Sequence, residues 1–386
     1  MELTYVATCL FGLEKFLGEE IDALGYKRIS TIDGRVTFVG DISAVARCNI
    51  GMRFAERLYI KLGEFPADTF DSLFEGTKAL PWENFIGQND AFPVTGHSVK
   101  SKLFSIPDCQ SIVKKAIVER LKTKYHLTYF PEDNLTYRVE FFILNDIASL
   151  MIDTSGVALH KRGYRPSSNA APLRETLAAA LVKIARPRDD VRFWDPMCGS
   201  GTIAIEAALM QTNRAPGMNR RFDSERFPQI DSDIWKKARE EAQDNIRTDS
   251  SFEVYASDID MSCVELTREN IRRAGVGAHV KAFERNALEI KTGGRRGTVV
   301  CNPPYGERLF SMEQAEELYK NMGRAFSHLD NWQIYVLTSH EGFERLYGRR
   351  ADKVRKLYNG MIKCNFYQFF KKRDDFAPKY KGNYKK

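Results

Sequence analysis

The sequence predicts an α/β protein in which a mostly parallel sheet with an antiparallel terminal hairpin follows an α+β module of about 165 residues. Three observations lead to this prediction. From residue 169 onward, long helical patterns alternate with continuous apolar strands, which is typical of a parallel sheet covered on both faces. Asn359-Gly360 lies between two strand-like runs and predicts a hairpin. The first 165 residues alternate short strand-like and helical patterns without a long apolar run.

The N-terminal module begins with the order strand, helix, two strands, helix, strand, which is a split ferredoxin-like arrangement. Its first hairpin turns at Asp33-Gly34, and Asp41 is predicted to cap its second helix. A second unit follows, in which two strands pair across Asn145-Asp146. The predicted elements are a strand at 4–9, a helix at 12–24, strands at 27–32, 35–39 and 57–63, a helix at 69–79, a strand at 91–99, a basic helix at 107–124, and strands at 135–144 and 147–152.

The parallel sheet is predicted to start after a helix that Pro172 opens and that ends at about residue 185. We place the boundary between the two modules between Gly163 and Asn169. The predicted strands are 191–195, 253–258, 298–301 and 332–338, followed by the hairpin strands 354–358 and 361–370.

Composition excludes several classes of protein. A chain of 386 residues with 43% hydrophobic and 28% charged residues can bury a sizeable core, and no window approaches 18 uncharged apolar residues, which argues against a membrane partner. The seven cysteines are scattered, no two are spaced as in a zinc ribbon or redox pair, and the N-terminus does not have the pattern of a secretory signal. We therefore expect a protein of the reducing cytoplasm that needs no metal.

The distribution of charge indicates a polyanionic partner more clearly than the net charge of +7 does. One cluster lies between residues 100 and 124, where Asp108 and Glu119 are the acidic residues and the basic ones are Lys100, Lys102, Lys114, Lys115, Arg120, Lys122 and Lys124. The last sixteen residues are also basic and include Phe376, Tyr380 and Tyr384. Such clusters neutralise phosphates and stack on bases, although a solvated helix face and a frayed tail explain the same pattern.

A glycine-containing turn follows the first strand of the predicted parallel sheet. The strand runs into residues 195–202, Asp-Pro-Met-Cys-Gly-Ser-Gly-Thr, and a helical pattern begins at Ile203. Gly199 and Gly201 allow a ligand to approach the backbone, and the helix start offers unpaired amide donors. The turn predicts a small-molecule site, although the match to the nicotinamide fingerprint is loose and does not identify the ligand.

The next strand ends at Asp258, which is placed to accept hydrogen bonds from both hydroxyls of a ribose. A dinucleotide-binding unit would place this acid about 20 residues after the glycines. Asp258 instead follows Gly199 by 59 residues, with an insertion that contains Arg214-Ala215-Pro216-Gly217 and a charged helix. The spacing disfavours a nicotinamide-dependent oxidoreductase.

Asn302-Pro303-Pro304-Tyr305 directly follows the buried strand at 298–301. The amine of a nucleobase is a poor nucleophile because its lone pair is delocalised into the ring. The Asn302 side-chain oxygen and a backbone carbonyl of the Pro-Pro turn can each accept one hydrogen of that amine. Tyr305 offers a face on which an extracted base can stack. The tetrapeptide therefore predicts transfer of a group to an exocyclic amine.

In these three motifs the sequence resembles class I S-adenosylmethionine (SAM)-dependent methyltransferases that act on exocyclic amines. Nearly the whole chain resembles the bacterial THUMP-domain methyltransferases that modify guanine N2 in large-subunit ribosomal RNA. Further stretches that carry this resemblance are Gly306-Glu307-Arg308-Leu309, residues 159–165 (Leu-His-Lys-Arg-Gly-Tyr-Arg), residues 98–103 and residues 110–121. Members are often labelled adenine-specific DNA methylases.

The resemblance implies a ferredoxin-like segment at 1–64, a THUMP RNA-binding domain at 65–163 and, at 164–386, a Rossmann-like methyltransferase domain with a seven-stranded, mostly parallel sheet. It implies SAM as cofactor, S-adenosylhomocysteine (SAH) as product, and 23S rRNA or a large-subunit precursor as partner. Implied cofactor-binding residues are Asp195, Met197, Cys198, Gly199, Ser200, Gly201 and Thr202, with Asp258 on the ribose, Ile259 on the adenine face, and Asn286 and Ala287 near the adenine amine.

The implied catalytic residues are Asn302, Pro303, Pro304 and Tyr305, and our candidates for RNA phosphate contacts are Lys100, Lys102, Lys114 and Lys115. One position departs from the family, because Asn286 stands where an Asp is usual; its amide oxygen is still an acceptor. Asn169 and residues 172–176 lie where the family's cofactor-flanking helix begins.

Three alternatives remain open at this point. The same tetrapeptide serves for guanine in transfer RNA or for adenine N6 in DNA, although the RNA-type N-terminal module disfavours DNA. A nicotinamide-dependent oxidoreductase is disfavoured by the distant Asp258 and the terminal hairpin. A ribosome-assembly factor that binds RNA without catalysis is disfavoured by the intact glycines and Asn302.

Overall fold

The computed structural model describes residues 2–166, 173–306 and 311–370. Within these residues the strands are β1 Leu3–Cys9, β2 Lys27–Ile32, β3 Arg35–Gly40, β4 Ala55–Pro66, β5 Val94–Val99, β6 Val139–Leu144, β7 Ile147–Asp153, β8 Arg192–Asp195, β9 Val254–Asp258, β10 Val280–Glu284, β11 Gly297–Cys301, β12 Trp332–Thr338, β13 Lys353–Asn359 and β14 Ile362–Phe369. The α-helices are α1 Glu14–Ala23, α2 Ala44–Gly51, α3 Phe70–Ala79, α4 Ile106–Tyr125, α5 Glu175–Ala185, α6 Thr202–Gln211, α7 Ser232–Asp244, α8 Met261–Ala274, α9 Met312–Phe326 and α10 Phe343–Tyr347.

The described residues form two compact units. The first contains residues 2–163 and 213–246, and the second contains residues 164–166, 173–212, 247–306 and 311–370. The insertion that separates the glycine turn from Asp258 in the sequence therefore belongs to the first unit. No described helix has the length and apolar character needed to cross a membrane.

The first unit is built on one seven-stranded sheet with the order β2-β3-β1-β4-β7-β6-β5. The predicted ferredoxin-like order is confirmed, but the second set of strands continues the same sheet instead of forming a separate one. The 12-residue strand β4 is the reason, because residues 55–61 pair with β1 on one edge and residues 59–66 pair with β7 on the other. A strand of that length can pair with a different neighbouring strand along each part of its length.

Both predicted turns of this sheet are confirmed. Asp33-Gly34 joins β2 to β3, and Asn145-Asp146 joins β6 to β7. Asn145 and Asp146 both have positive φ, 51° and 63°, as a type I′ hairpin requires. The predicted capping role of Asp41 is wrong. Its carboxylate accepts from the Ser43 amide at 3.0 Å and closes a turn before α2 begins at Ala44.

Aromatic and ionic contacts hold the insertion within the first unit. Phe227 stacks on Tyr137 with ring centroids 4.3 Å apart, and Trp235 of α7 stacks on Phe222 at 5.4 Å. Arg47 of α2 pairs with Glu241 of α7 at 2.7 Å. Trp235 and Ala238 are the buried residues of α7, which is otherwise strongly charged.

The second unit has a sheet with the order β10-β9-β8-β11-β12-β14-β13, in which only β14 runs against its neighbours β12 and β13. The predicted parallel sheet with an antiparallel terminal hairpin is confirmed. The edge strand β10 was not among the strands predicted individually. It is short and mostly half-exposed, so its residues do not form a continuous apolar run.

The terminal hairpin turns one residue later than predicted. Asn359 pairs with Ile362 in the ladder, so the turn residues are Gly360 and Met361 instead of Asn359 and Gly360. Only Gly360 of these two has a positive φ, 65°, and glycine at the first turn position is typical of a type II′ turn.

Candidate active site

Three adjacent parallel strands bring the predicted motifs to one edge of the second sheet. β8 lies between β9 and β11, and the ladders align Asp195 with Ala256 and Trp194 with Val299. The carboxyl ends of β8, β9 and β11 therefore carry Asp195, Asp258 and Asn302 at neighbouring positions. This edge is where open α/β sheets bind their ligands.

The glycine turn is fixed by backbone hydrogen bonds. The Cys198 amide donates to the Ser257 carbonyl at 2.9 Å, and the Gly201 amide donates to the Cys198 carbonyl at 2.7 Å. Gly201 has φ of 78°, and a Cβ atom there would lie 2.7 Å from the Thr267 side chain. Only glycine fits this position, directly before the first residue of α6.

Polar side chains of α8 hold the rest of the glycine turn. Thr267 donates to the Gly199 carbonyl at 2.8 Å, and Asn270 donates to the Ser200 carbonyl at 2.9 Å. The Ser200 hydroxyl lies 3.2 Å from that of Thr202. Sequence reasoning missed Thr267 and Asn270, because nothing in the sequence indicates which face of α8 meets the turn.

Asp258 joins the second motif to the first. One carboxylate oxygen accepts from the Gly199 amide at 2.9 Å, and the other accepts from the Asp260 amide at 3.1 Å. A carboxylate has about four acceptor positions, so it can still bind two hydroxyl groups. The adjacent Ile259 side chain is 68% exposed, which leaves an apolar surface beside the carboxylate.

Asp195 is the buried acid of the site, with 1% of its surface exposed. Burial raises its pKa well above the usual range, and the charge of Asp258 adds to the shift. The carboxylate accepts a long hydrogen bond, 3.4 Å, from the Met197 amide. A cationic group bound beside Asp195 would stabilise its ionised form.

Asn286 follows β10 and caps a short 3₁₀ turn, Ala287–Glu289. Its side-chain oxygen accepts from the Leu288 amide at 3.0 Å, and Ala287 is buried. The oxygen that the sequence offered as an acceptor for a ligand therefore already receives a backbone hydrogen bond.

The Asn302–Tyr305 turn extends from the buried end of β11. The Tyr305 hydroxyl donates to the Asn302 side-chain oxygen. The Pro304 carbonyl accepts from the Tyr319 hydroxyl of α9 at 2.7 Å. Two tyrosines thus satisfy acceptors within the predicted base-binding turn, and Tyr319 was not predicted from the sequence.

Arg165 is a further residue near the site to which sequence reasoning gave no role. Its guanidinium donates to the Thr202 hydroxyl at 2.7 Å and to the Leu173 carbonyl at 3.0 Å, and it pairs with the buried Glu175 at 3.1 Å. Arg165 therefore contacts the first residue of α6 and the first residue of α5 at the same time. The stretch 159–165 contained it, but its partners lie too far along the chain to be predicted.

The predicted RNA-binding lysines of the first unit differ in their surroundings. Lys102 pairs with Asp68 at 2.9 Å, and Lys114 pairs with Glu132 at 2.5 Å. The other basic residues of the cluster are also paired: Arg120 and Lys124 with Glu83, and Lys122 with Glu119. Lys100 and Lys115 are exposed and form no ion pair within residues 2–166, 173–306 and 311–370.

Phe104 lies on the same loop between β5 and α4 as Lys100, and 82% of its surface is exposed. Several other predictions lie outside the described residues: Asn169, the stretch 307–309 and the basic tail at 371–386. The prediction that a helix opens at Pro172 is wrong, because Arg174 has extended backbone angles (φ −65°, ψ 141°) and α5 begins at Glu175.

Comparisons with known proteins agree with this fold. Residues 162–368 match the model of an RMKL-like methyltransferase domain, residues 4–59 that of an RlmL ferredoxin-like domain, and residues 67–153 that of a THUMP domain. The second unit thus has the fold of a methyltransferase. The chain belongs to the RMKL-like methyltransferase family.

The chain is 47% identical over 371 residues to a Bacillus subtilis (strain 168) protein named "Putative RNA methyltransferase YpsC", covering 96% of each chain. It is 33% identical to "Ribosomal RNA large subunit methyltransferase K/L" of Syntrophotalea carbinolica, covering 95% of this chain and 53% of that protein. The solved structure of SMU.472, "a putative methyltransferase complexed with SAH", shares 41% identity and a TM-score of 0.89, covering 96% of this chain and 99% of that one.

Proposed function

We propose that this protein transfers a methyl group from SAM to the exocyclic N2 amine of a guanine in 23S rRNA, and releases SAH. The class of enzyme, without its target nucleotide, is a SAM-dependent RNA methyltransferase with a THUMP domain. The Asn-Pro-Pro-Tyr tetrapeptide supports an exocyclic amine as the acceptor, and the ribosomal RNA relative supports a large-subunit RNA as the target. The choice of guanine N2 rests on the family resemblance of the sequence. The domain limits 1–64, 65–163 and 164–386 remain part of the proposal.

The residues at the edge of the sheet fit SAM. Gly201 lets the Thr267 side chain pack against the glycine turn, and the start of α6 offers backbone amide donors to a ligand. The Asp258 carboxylate has acceptor capacity for the ribose hydroxyls, and exposed Ile259 can cover the adenine. Buried Asp195 is suited to the ammonium of the methionine moiety, because that cation favours its ionised form.

The chain's own residues bind and orient the amine. When bound, SAM supplies an electrophilic methyl group whose C–S bond breaks as the amine nitrogen forms the N–C bond. The Asn302 side-chain oxygen accepts one amine hydrogen after the Tyr305 hydroxyl gives up this acceptor. The Pro304 carbonyl already binds Tyr319, so we assign the second hydrogen to the Pro303 carbonyl.

Positioning supplies most of the rate in this mechanism, because fixing the nitrogen in line with the donor removes the entropic cost of alignment. The two acceptors also stabilise the nitrogen as it gains positive charge. The methylated nitrogen then loses one proton to solvent. Tyr305 stacks on the base once its hydroxyl has released Asn302.

We assign RNA contact to the loop between β5 and α4. Exposed Lys100 has no acidic partner among the described residues and can neutralise a phosphate, and exposed Phe104 can stack on an unpaired base. Lys115 is the second candidate for phosphate contact, followed by Lys102 and Lys114, whose ion pairs must first be broken.

The observation that carries the proposal is the placement of Asn302, Asp195 and Asp258 at the ends of three adjacent parallel strands. The test is to incubate the protein with labelled SAM and total RNA from cells that lack it, then to separate 23S rRNA from transfer RNA and digest each to nucleosides. We expect label in N2-methylguanosine from 23S rRNA. Label in N6-methyladenosine, or only in transfer RNA, would overturn the proposed target.

A further inference from the structure

A chain of hydrogen bonds ends on the Pro304 carbonyl. The Tyr319 hydroxyl donates to that carbonyl at 2.7 Å and lies 3.0 Å from the Thr338 hydroxyl. A phenol has a single proton, so the Thr338 hydroxyl must donate to the Tyr319 oxygen. The Thr338 oxygen in turn accepts from the His340 amide at 3.1 Å. Each hydroxyl in this chain is both donor and acceptor, which strengthens every bond in it.

The surroundings of Tyr319 leave it little freedom to move. Its side chain is fully buried, and its ring packs edge-on against Phe343 at 5.1 Å and His340 at 5.6 Å. Burial raises the pKa of Tyr319 to about 12, so the hydroxyl keeps its proton at neutral pH.

The position of Tyr319 in the fold connects the turn to two rigid elements. Tyr319 lies at the middle of α9, and Thr338 is the last residue of β12, which pairs with β11. Hydrogen bonds from α9 and from β12 therefore both restrain the turn that begins at Asn302. A carbonyl left without this donor would be free to reorient the adjoining peptide.

We infer that Tyr319 and Thr338 are positioning residues for methyl transfer, because they hold the Pro-Pro turn in the orientation that presents Asn302 and the Pro303 carbonyl to the target amine. This inference rests on the proposed role of the Asn302–Tyr305 turn. Neither residue needs to touch the substrate. Their contribution lies in alignment, where a displacement of about 1 Å can cost on the order of 100-fold in rate.

The direct test is Tyr319→Phe, which removes the hydroxyl and keeps the packed ring. We expect the kcat for methyl transfer to RNA to fall at least tenfold, as an order-of-magnitude estimate, with the Kd for SAM, the KM for RNA and the Tm close to wild type. The matched control is Tyr347→Phe, which removes a hydroxyl from the same core, where Tyr347 also packs against Phe343. That control should keep its kcat.

Thr338 gives a second, graded test. Thr338→Val removes the hydroxyl that supports Tyr319 and should lower kcat, whereas Thr338→Ser retains it and should restore kcat. A wild-type kcat in Tyr319→Phe would overturn the inference, as would parallel losses of SAM affinity and Tm that account for the lower rate.

Measuring Asn302→Ala in the same assay separates this inference from the proposed function. If Asn302→Ala is inactive and Tyr319→Phe is fully active, the proposed role of the turn stands and the inference about Tyr319 fails. If the wild-type product is another methylated nucleoside, the proposed target fails, and the rates of the Tyr319 and Thr338 variants still decide the inference.

Discussion

Asn302 and Asp258 have separable roles, although they lie at the same edge of the second sheet. Asn302 provides an acceptor for the target amine, and Asp258 is linked to the glycine turn through the Gly199 amide. Asn302→Ala should therefore lower kcat at least 100-fold, by analogy with the loss of one transition-state hydrogen bond, and leave the Kd for SAM unchanged.

Asp258→Ala should show the opposite pattern, with a Kd for SAM that rises at least tenfold, as expected for a charged hydrogen bond. Isothermal titration and single-turnover kinetics measure the two quantities separately. Asn321→Ala, which removes an exposed hydrogen bond to Glu317 on α9, is the control for a loss of asparagine alone. Near-wild-type turnover in Asn302→Ala would contradict the assignment.

The buried carboxyl of Asp195 predicts a pH dependence of SAM binding. Its raised pKa keeps the group neutral to a higher pH than an exposed aspartate in the ligand-free protein. The ammonium of SAM favours the ionised carboxylate, so binding should strengthen as pH rises, by up to about tenfold per unit below the pKa of Asp195. The window to measure is about pH 5 to about pH 7, below the pKa of roughly 7.7 of a free α-amino group.

Asp195→Asn removes the titrating group and should flatten this profile at a lower overall affinity. A wild-type Kd that does not vary over the same window would show that Asp195 does not face the cation. The same slope in Asp195→Asn would assign the titration to another group.

At the scale of elements, the loop between β5 and α4 is where RNA binding should be most sensitive. Lys100→Ala and Phe104→Ala should each weaken RNA binding about tenfold, since one stacked base contributes about 1–3 kcal/mol. Lys100→Ala should also reduce the dependence of affinity on salt by about one phosphate contact, whereas Phe104→Ala should leave that slope unchanged.

Lys27→Ala, which removes an exposed charge from β2, is the control for loss of net charge. Filter binding over a series of salt concentrations gives both affinity and slope. If Lys27→Ala and Lys100→Ala weaken binding equally, the contribution of this loop is only general electrostatic attraction.

Ion pairs explain why the basic cluster has less unpaired positive charge in the fold than its sequence indicates. Between residues 100 and 124 the sequence shows two acidic residues, but Asp68, Glu83 and Glu132 reach the cluster from other elements. Local composition cannot reveal partners that the fold brings together. Only the structure of the loop shows that Lys100 and Phe104 are exposed and that Lys100, unlike the paired basic residues of the cluster, forms no ion pair among the described residues.

At the scale of the whole molecule, the sequence was most informative where the pattern is local. The strand-turn-helix at Asp195, the acid at the end of β9 and the hairpins follow from short-range chemistry. The last hairpin was predicted with Asn359 in its turn. In the structure Asn359 still pairs with Ile362, and the turn residue with positive φ is Gly360.

Long-range features were not predictable in the same way. The charged pattern of α7 does not indicate that its partners are Arg47 and Phe222 in the first unit. Likewise, Tyr319 reads as one apolar position of an amphipathic helix, and its contact with Pro304 depends on tertiary structure. Residues that position a motif are therefore harder to predict than the motif itself.

We expect the Asn302–Tyr305 turn to face the methyl donor across the ends of β8, β9 and β11. The most direct measurement is a crystal structure of this protein with SAM or its product SAH bound. We predict that the ribose hydroxyls bind Asp258 and that the sulfur centre faces the Asn302 side chain. A ligand bound away from Asn302, with its ribose hydroxyls on other residues, would contradict the account.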